Sequence, residues 1–305
     1  MADLRVKAAG LELKNPLLAA SGCFGYGREA DPVIPAEIFG AVVTKTITPA
    51  PRRGNPPPRL AETLAGMLNS IGLENVGLNA FIDEKLPALE GLDTRVVVSI
   101  SAASAAEFAE MASRLDELPR ADALELNLSC PNVAEHGSNF AADPAAVLEI
   151  GRTVRPCFAR PIWIKLSPNV TDIAASARAA REAGADGVTA INTLLGMDID
   201  LETGASPFAR VTAGLSGPAI LPVALAAVWR IAREEGIPTI GVGGASKLDD
   251  LLKFLAVGAA AVQLGTVLFT DPAAPARILR QFGDYLDVRG HADLDSLRAS
   301  WKEPA

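Results

Sequence analysis

Eight apolar runs of strand length recur along the 305-residue chain, and they leave few folds open. They cover residues 16–21, 41–47, 95–101, 123–129, 161–167, 187–193, 239–245 and 260–266. Val96-Val97-Val98 is apolar at consecutive positions rather than in alternation. Strands of that kind belong in a parallel sheet covered on both faces, because an antiparallel sheet commonly turns one face to water. Amphipathic helical patterns lie between the later runs. The pattern over 104–118 begins with Ser104 as an N-cap and Glu107 three residues on, the spacing of a capping box. Asp143-Pro144 opens another, with proline at the first helical position. Patterns over 171–183, 218–235 and 246–257 stop at Gly184, Gly236 and Gly258, and a last one covers 272–282. This alternation predicts an α/β fold, a (β/α)8 TIM barrel forming a single domain over residues 1–305. An open doubly wound sheet is the alternative. Leu4, Val6, Ala8, Leu11 and Leu13 alternate around Ala9-Gly10, which predicts a short N-terminal hairpin ahead of the barrel.

Three connections are too long for simple turns: 48–72, 131–142 and 194–217. Each follows a strand run, so a barrel would place all three as long loops on its C-terminal face. The first carries Pro49, Pro51, Arg52, Arg53 and Pro56-Pro57-Pro58. As a linker it would separate domains, and as a folded loop it would cover a pocket. Because the strand rhythm continues on both sides, the pocket is the preferred reading.

Composition excludes some functions. The net charge is −8 and no Lys/Arg cluster stands out. A nucleic-acid partner, whose phosphates need clustered positive charge, is not expected. The N-terminal residues hold no apolar signal core, and no apolar run approaches the roughly 20 residues that span a bilayer. A cytoplasmic location and no membrane partner are expected. The three cysteines, Cys23, Cys130 and Cys157, have neither a disulfide framework's number nor the spacing of a metal site or an iron–sulfur cluster.

Polar residues collect where the runs end, which in a barrel is one face: Ser21, Lys45-Thr46, Ser99, Asn127 with Cys130, Lys165, Asn192-Thr193, Gly243-Gly244 and Gly265-Thr266. Lys45 and Lys165 sit inside apolar runs. Either each snorkels to solvent, or the pair faces an anionic ligand, since a buried ammonium needs a partner. The glycine-rich ends of the seventh and eighth runs suit a phosphate held by backbone N–H groups, and Gly217-Pro218 could add a donor. Tight turns alone would also explain them. No GxGxxG in a βαβ setting is present, so a nicotinamide site on this chain is not expected. Cys130 is open to three readings: a buried core thiol, a nucleophile or a general base, with His136 the nearest histidine in sequence. Asn69, Asn127, Asn132 and Asn192 offer both donor and acceptor atoms and would suit a planar ligand bearing amides, or they serve turns.

At this point the residues resemble a family. Ala20-Ser21-Gly22, Thr44-Lys45-Thr46, Arg52-Arg53-Gly54-Asn55-Pro56, Asn69-Ser70-Ile71-Gly72-Leu73-Glu74-Asn75, Asn127-Leu128-Ser129-Cys130-Pro131-Asn132, Ile164-Lys165-Leu166-Ser167-Pro168-Asn169, Ile191-Asn192-Thr193, Gly214-Leu215-Ser216-Gly217-Pro218, Gly241-Val242-Gly243-Gly244 and Gly265-Thr266 occur in this order. As a set they resemble dihydroorotate dehydrogenase, the flavin enzyme of pyrimidine biosynthesis, in its class 1B catalytic-subunit form. The resemblance implies FMN in the barrel mouth, its phosphate on Gly217, Gly243, Gly244, Gly265 and Thr266. It implies further flavin contacts from Ser21, Lys45, Thr46, Ser99, Asn127, Lys165 and Ile191. The substrate would lie among Lys45, Asn69, Ser70, Ile71, Gly72, Leu73, Asn127, Asn132, Asn192 and Thr193. Cys130 would take the C5 proton of dihydroorotate as base while hydride leaves C6 for the flavin. The product is orotate.

The resemblance also implies an assembly. Class 1B passes electrons to NAD+ through an electron-transfer subunit holding FAD and a [2Fe–2S] cluster, giving a heterotetramer built on a homodimer of the catalytic chain. The membrane-bound class uses Ser as the base and carries an N-terminal extension, whereas this chain has Cys130. Where the family usually has Asn, this chain has Ser99. Residues 204–212 also drift from the family pattern, and Leu221 stands at a commonly basic position. The competing readings are a fumarate-dependent class 1A enzyme or a related dihydropyrimidine dehydrogenase, a non-redox lyase or synthase binding a phosphorylated metabolite, and a catalytically silent scaffold subunit.

Overall fold

Runs that are apolar on both faces can be buried only between a second layer and a filled interior, and this is where the chain puts them. The computed structural model describes residues 2–128 and 140–302. Its central strands are β1 (Leu17–Ala19), β2 (Ala41–Val43), β3 (Arg95–Ile100), β4 (Ala123–Asn127), β5 (Ile162–Lys165), β6 (Gly187–Ala190), β7 (Thr239–Val242) and β8 (Ala259–Leu264). All pair in parallel and in sequence order, and the ring closes where β8 meets β1, Val262 opposite Leu17 and Leu264 opposite Ala19. The sheet is therefore a closed (β/α)8 barrel and not the open doubly wound alternative.

Helices cover the outside. Ala105–Asp116, Pro144–Val154, Ile173–Glu182, Leu221–Glu234, Leu248–Ala256 and Ala274–Arg289 follow β3 to β8 in turn. Phe108, Met111, Ala112 and Leu115 show how one face of the first is buried against the barrel. The expected stops at Gly184, Gly236 and Gly258 all adopt positive φ. Asp143 caps its helix by accepting from the Ala145 N–H at 2.9 Å. The capping box at Ser104 is only half formed. Ser104 Oγ accepts from Glu107 N, but the Glu107 carboxylate turns to the N–H of Ala103 instead. Between β1 and β2 there is only a short 3-10 turn, Ala36–Ile38.

The N-terminal hairpin, Val6–Ala8 with Leu11–Leu13, forms as expected. Its turn reaches the barrel's floor, where the Trp163 indole donates to the Ala9 carbonyl at 2.8 Å. Gly187 lies so close to Ala9 and to the Pro238 carbonyl that a side chain there would strike both. A cleft of about 720 Å³ opens at this end, lined among others by Lys14, Arg95, Arg120 and Arg298. Several of those cations are already used by the fold. Arg120 donates to the carbonyls of Leu89, Leu92 and Thr94, and Arg298 to that of Ala259. This floor is a structural end.

The other end departs from expectation. Two of the three long connections are not irregular loops. Leu60–Thr63 and Gly66–Asn69 from the first pair with Leu194–Gly196 and Ala213–Ser216 from the third, as one four-stranded antiparallel sheet. It stands on the C-terminal mouth and carries its own small apolar cluster of Leu68, Phe208 and Ala213. Half-exposed strands of three or four residues leave little local periodicity to read, and the pairing that joins the two halves, Gly66–Asn69 with Ala213–Ser216, spans distant parts of the chain. Among the described residues, no helix is long and apolar enough to cross a membrane.

Candidate active site

Strand alternation decides which side chains enter the barrel. Glu125 on β4, Thr189 on β6 and Gln263 on β8 come from strands that do not touch, yet Glu125 Oε2 accepts from Thr189 Oγ1 at 2.9 Å and from Gln263 Nε2 at 3.2 Å. They can meet only in the interior. Two residues beyond Glu125 on the same face is Asn127, and Lys165 is its register partner on β5. The inward set at the mouth therefore includes the residues expected there.

Along the first four strands the hydroxyls are linked. Ser21 Oγ donates to the Thr44 carbonyl at 2.8 Å and lies 3.2 Å from Thr46 Oγ1. Thr46 Oγ1 lies 2.9 Å from Ser99 Oγ and accepts from Asn127 Nδ2 at 3.2 Å. Ser99 is wholly buried and joins this chain of hydroxyls through Thr46. Its hydroxyl is hydrogen-bonded to that of Thr46, so Ser99 braces Thr46.

Both lysines lie in this region. Lys165 is 6% exposed, and its ammonium is 3.7 Å from Glu125 Oε1. The Lys45 backbone N–H donates to the Gly25 carbonyl at 2.7 Å, but its ammonium has neither a hydrogen bond nor an ion pair among the described residues. Burial holds its ammonium below the usual lysine range, with Glu74 and Cys23 offsetting part of that effect. A chain of net charge −8 thus carries two cations at its mouth, one of them half-buried, its ammonium without a hydrogen-bonded partner among the described residues. Cys23, which the sequence reading left without a role, belongs to the same neighbourhood. Burial pushes its thiol up to about 11, and Lys165 and Lys45 pull it back only in part.

The glycine-rich ends converge. Gly217, Gly243 and Gly244 have φ of 92°, 129° and 81°. A Cβ on Gly244 would sit 2.8 Å from Leu221 N and 2.9 Å from the Gly217 carbonyl, and one on Gly243 would sit 2.9 Å from Ala224 Cβ and 3.5 Å from the Ile191 side chain. Thr266 Oγ1 donates to Ser216 Oγ at 2.9 Å, which ties β8's end to Gly217. Gly265 is different. It has no positive φ, and its nearest neighbours to an added Cβ are Cys23 Sγ at 3.4 Å and Ala20 Cβ at 3.6 Å, ordinary contacts. Neither the backbone nor the packing needs a glycine there. A bare backbone presented to a ligand does, and this fits a phosphate cradle.

The antiparallel sheet brings up the remaining polar groups. Asn69 pairs with Gly214 and donates from Nδ2 to its carbonyl at 3.1 Å, and the Thr193 hydroxyl lies against the same glycine. Asn192 Oδ1 accepts from Thr193 N at 2.8 Å. Ser70 is buried, and both its carbonyl and its hydroxyl accept from Asn55 Nδ2. Asn55 N donates to the Ile71 carbonyl, and Asn55 leaves no room for a side chain on Gly72. Asn75 closes the segment: its amide donates to Thr48 Oγ1 and Leu73 O and accepts from Thr48 N and Gly77 N. Residues 69–73 are thus a braced ledge rather than a free loop. Asn55, Asn75, Glu125, Thr189 and Gln263 were not singled out from the sequence. For Glu125 a signal existed, a carboxylate in the otherwise apolar Ala123-Leu124-Glu125-Leu126. Ser129, Cys130, Pro131, Asn132 and His136 lie outside the described residues.

Comparison with known proteins decides the family. The family model described as dihydroorotate dehydrogenase matches residues 3–286. The chain belongs to the dihydroorotate dehydrogenase family. It is 47% identical over 300 residues to the dihydroorotate dehydrogenase B (NAD(+)) catalytic subunit of Geotalea daltonii, covering 98% of both chains. Proteins of the same name from Pelobacter propionicus and Geobacter sulfurreducens are 47% and 46% identical over 295 residues, covering 97% of each chain. The family resemblance and the barrel expected from the sequence are both upheld.

Proposed function

We propose that this chain is a cytoplasmic catalytic subunit that oxidises (S)-dihydroorotate to orotate in pyrimidine biosynthesis, its 305 residues forming one FMN-binding barrel domain. The observation that carries the reading is the convergence on one mouth of Lys45, Lys165 and the unforced glycine at position 265. Gly217, Gly243, Gly244, Gly265 and Thr266 would hold the phosphate of FMN, and Ser21, Lys45, Thr46, Asn127, Lys165 and Ile191 would flank its ring system. When bound, FMN supplies the acceptor for the hydride that leaves C6. Asn69, Asn127, Asn132, Asn192 and Thr193, with the ledge from Ser70 to Leu73, would fix the carboxylate and ring amides of the substrate. The Lys45 ammonium, unpaired among the described residues, would oppose the carboxylate. Cys130 Sγ would take the C5 proton, since the thiolate is the basic form and adjacent cations favour it.

Electrons would pass to NAD+ through a partner subunit carrying FAD and a [2Fe–2S] cluster, in a heterotetramer built on a homodimer. The relatives' names, which include NAD(+) and "catalytic subunit", support this. The test is the purified chain's flavin spectrum and its bleaching by dihydroorotate. Cys130→Ser should slow bleaching and steepen its pH dependence while FMN stays bound. Unchanged bleaching would sink the base assignment, a colourless chain that takes up no FMN would sink the flavin reading, and fast turnover with fumarate alone would sink the NAD+ route.

A further inference from the structure

Beneath the mouth lies a polar layer that the proposed reaction leaves without a role. Barrel interiors are filled mainly by branched apolar side chains. Here Glu125, Thr189 and Gln263 are all buried to within 1% exposure. The two hydrogen bonds that Glu125 accepts both go to Oε2. Among the described residues Oε1 takes none, and it faces the Lys165 ammonium at 3.7 Å. Thr189 and Gln263 thus fix the carboxylate from the far wall, and its free oxygen is turned toward the lysine. A carboxylate buried in a core is rarely the most stable filling for that space, since apolar residues of similar volume serve stability as well or better.

We propose that Glu125 is a positioning residue for Lys165, holding the ammonium from below and offsetting its charge toward the ligand in the mouth. The proposal rests on the FMN reading, because it assigns to Glu125 control of how much positive charge the flavin meets. With Glu125 in place, Lys165 is part of an ion pair. Without the carboxylate's charge, the ammonium acts on the ring uncompensated. A positive charge beside a flavin favours its electron-rich reduced form, so the midpoint potential should rise.

The test is a double-mutant cycle on the full chain with Glu125→Gln, Lys165→Met and both together. Gln keeps the shape and an acceptor for Thr189. In the FMN-loaded protein, Glu125→Gln should move the midpoint positive, and in the Lys165→Met background it should move nothing. An equal shift in both backgrounds, or no shift with only a lowered melting temperature, would overturn the proposal and leave Glu125 as barrel filling. The same cycle by urea unfolding of the ligand-free chain should show the equilibrium cost of Glu125→Gln falling at least fivefold once Lys165 is Met. If the chain binds no FMN, the function reading fails, while this second cycle still decides whether the pair is coupled. An additive unfolding cycle would refute the coupling. Should Glu125→Gln not fold, Thr189→Val loosens the carboxylate instead and should shift the midpoint in the same direction, but less. No shift from it would count against the proposal.

Discussion

Gly265→Ala separates what the fold needs from what the ligand needs. The added methyl would meet Cys23 Sγ at 3.4 Å and Ala20 Cβ at 3.6 Å, which is contact without overlap. The backbone there has no positive φ, so an alanine adopts it without strain. Replacing glycine by alanine at a compatible position stabilises by about 0.4–1 kcal/mol, chiefly by reducing the freedom of the unfolded chain. The ligand-free protein should therefore melt at the same temperature or up to about 2 °C higher. FMN binding should weaken, because the methyl separates the β8 backbone from the phosphate. A lost hydrogen bond to a charged group is worth roughly 1.5–3 kcal/mol, at least a tenfold rise in Kd. Gly244→Ala is the contrast. At φ 81°, with its Cβ 2.8 Å from Leu221 N, it should destabilise even the ligand-free chain. The left-handed backbone alone costs about 1–2 kcal/mol, before the overlap is counted. Scanning calorimetry of the ligand-free variants and a flavin-fluorescence titration measure both quantities. An FMN Kd within twofold of wild type for Gly265→Ala would refute the phosphate assignment at β8. Loss of more than about 1 kcal/mol from the ligand-free protein would refute the packing argument instead.

Other outcomes follow from the electrostatics and the braces. Lys45→Met should stabilise the ligand-free chain at neutral pH while reducing turnover. Because burial holds the Lys45 ammonium below its unfolded value of 10.5, the folded form pays for the charge below its own pKa and is relieved as pH rises past it. The variant's advantage in urea unfolding should shrink over that alkaline window. Cys23, with its thiol raised from 9.0 to about 11, should resist iodoacetamide at pH 8 and react increasingly toward pH 11. The same shift gives stability that is present below about pH 9 and is lost as pH rises through about 11. Asn75→Ala removes four hydrogen bonds at the base of the 69–73 ledge. It should cost roughly 2–4 kcal/mol in urea unfolding and raise KM for dihydroorotate more than it weakens FMN binding.

The barrel is legible in the sequence because both-face apolar runs such as Val96-Val97-Val98 have few other places to go. Lys45 and Lys165 are legible for the same reason, as charges stranded in such runs. Glu125 carries the same signal, but a single carboxylate between leucines has no neighbour in sequence to give it meaning. Its partners Thr189 and Gln263 lie 64 and 138 residues away. The antiparallel sheet was hidden for a related reason. Gly66–Asn69 is short and half-exposed, and its pattern gives no hint of a partner strand near residue 214. Distance in sequence, rather than weakness of the interaction, is what hides these features.

That sheet has a consequence for how the protein is made. Asn69 finds its partner Gly214 only 145 residues later in the chain. On a ribosome, the first half of the barrel emerges with the 69–73 ledge unpaired on this side, and the pairing strand arrives only after β6. A chain interrupted before residue 213 can own the first six barrel strands, Lys45 and Lys165, and still lack the strand that pairs with Asn69 from the far side. The ledge proposed for the substrate is thus braced on this side only after six of the eight barrel strands have been made.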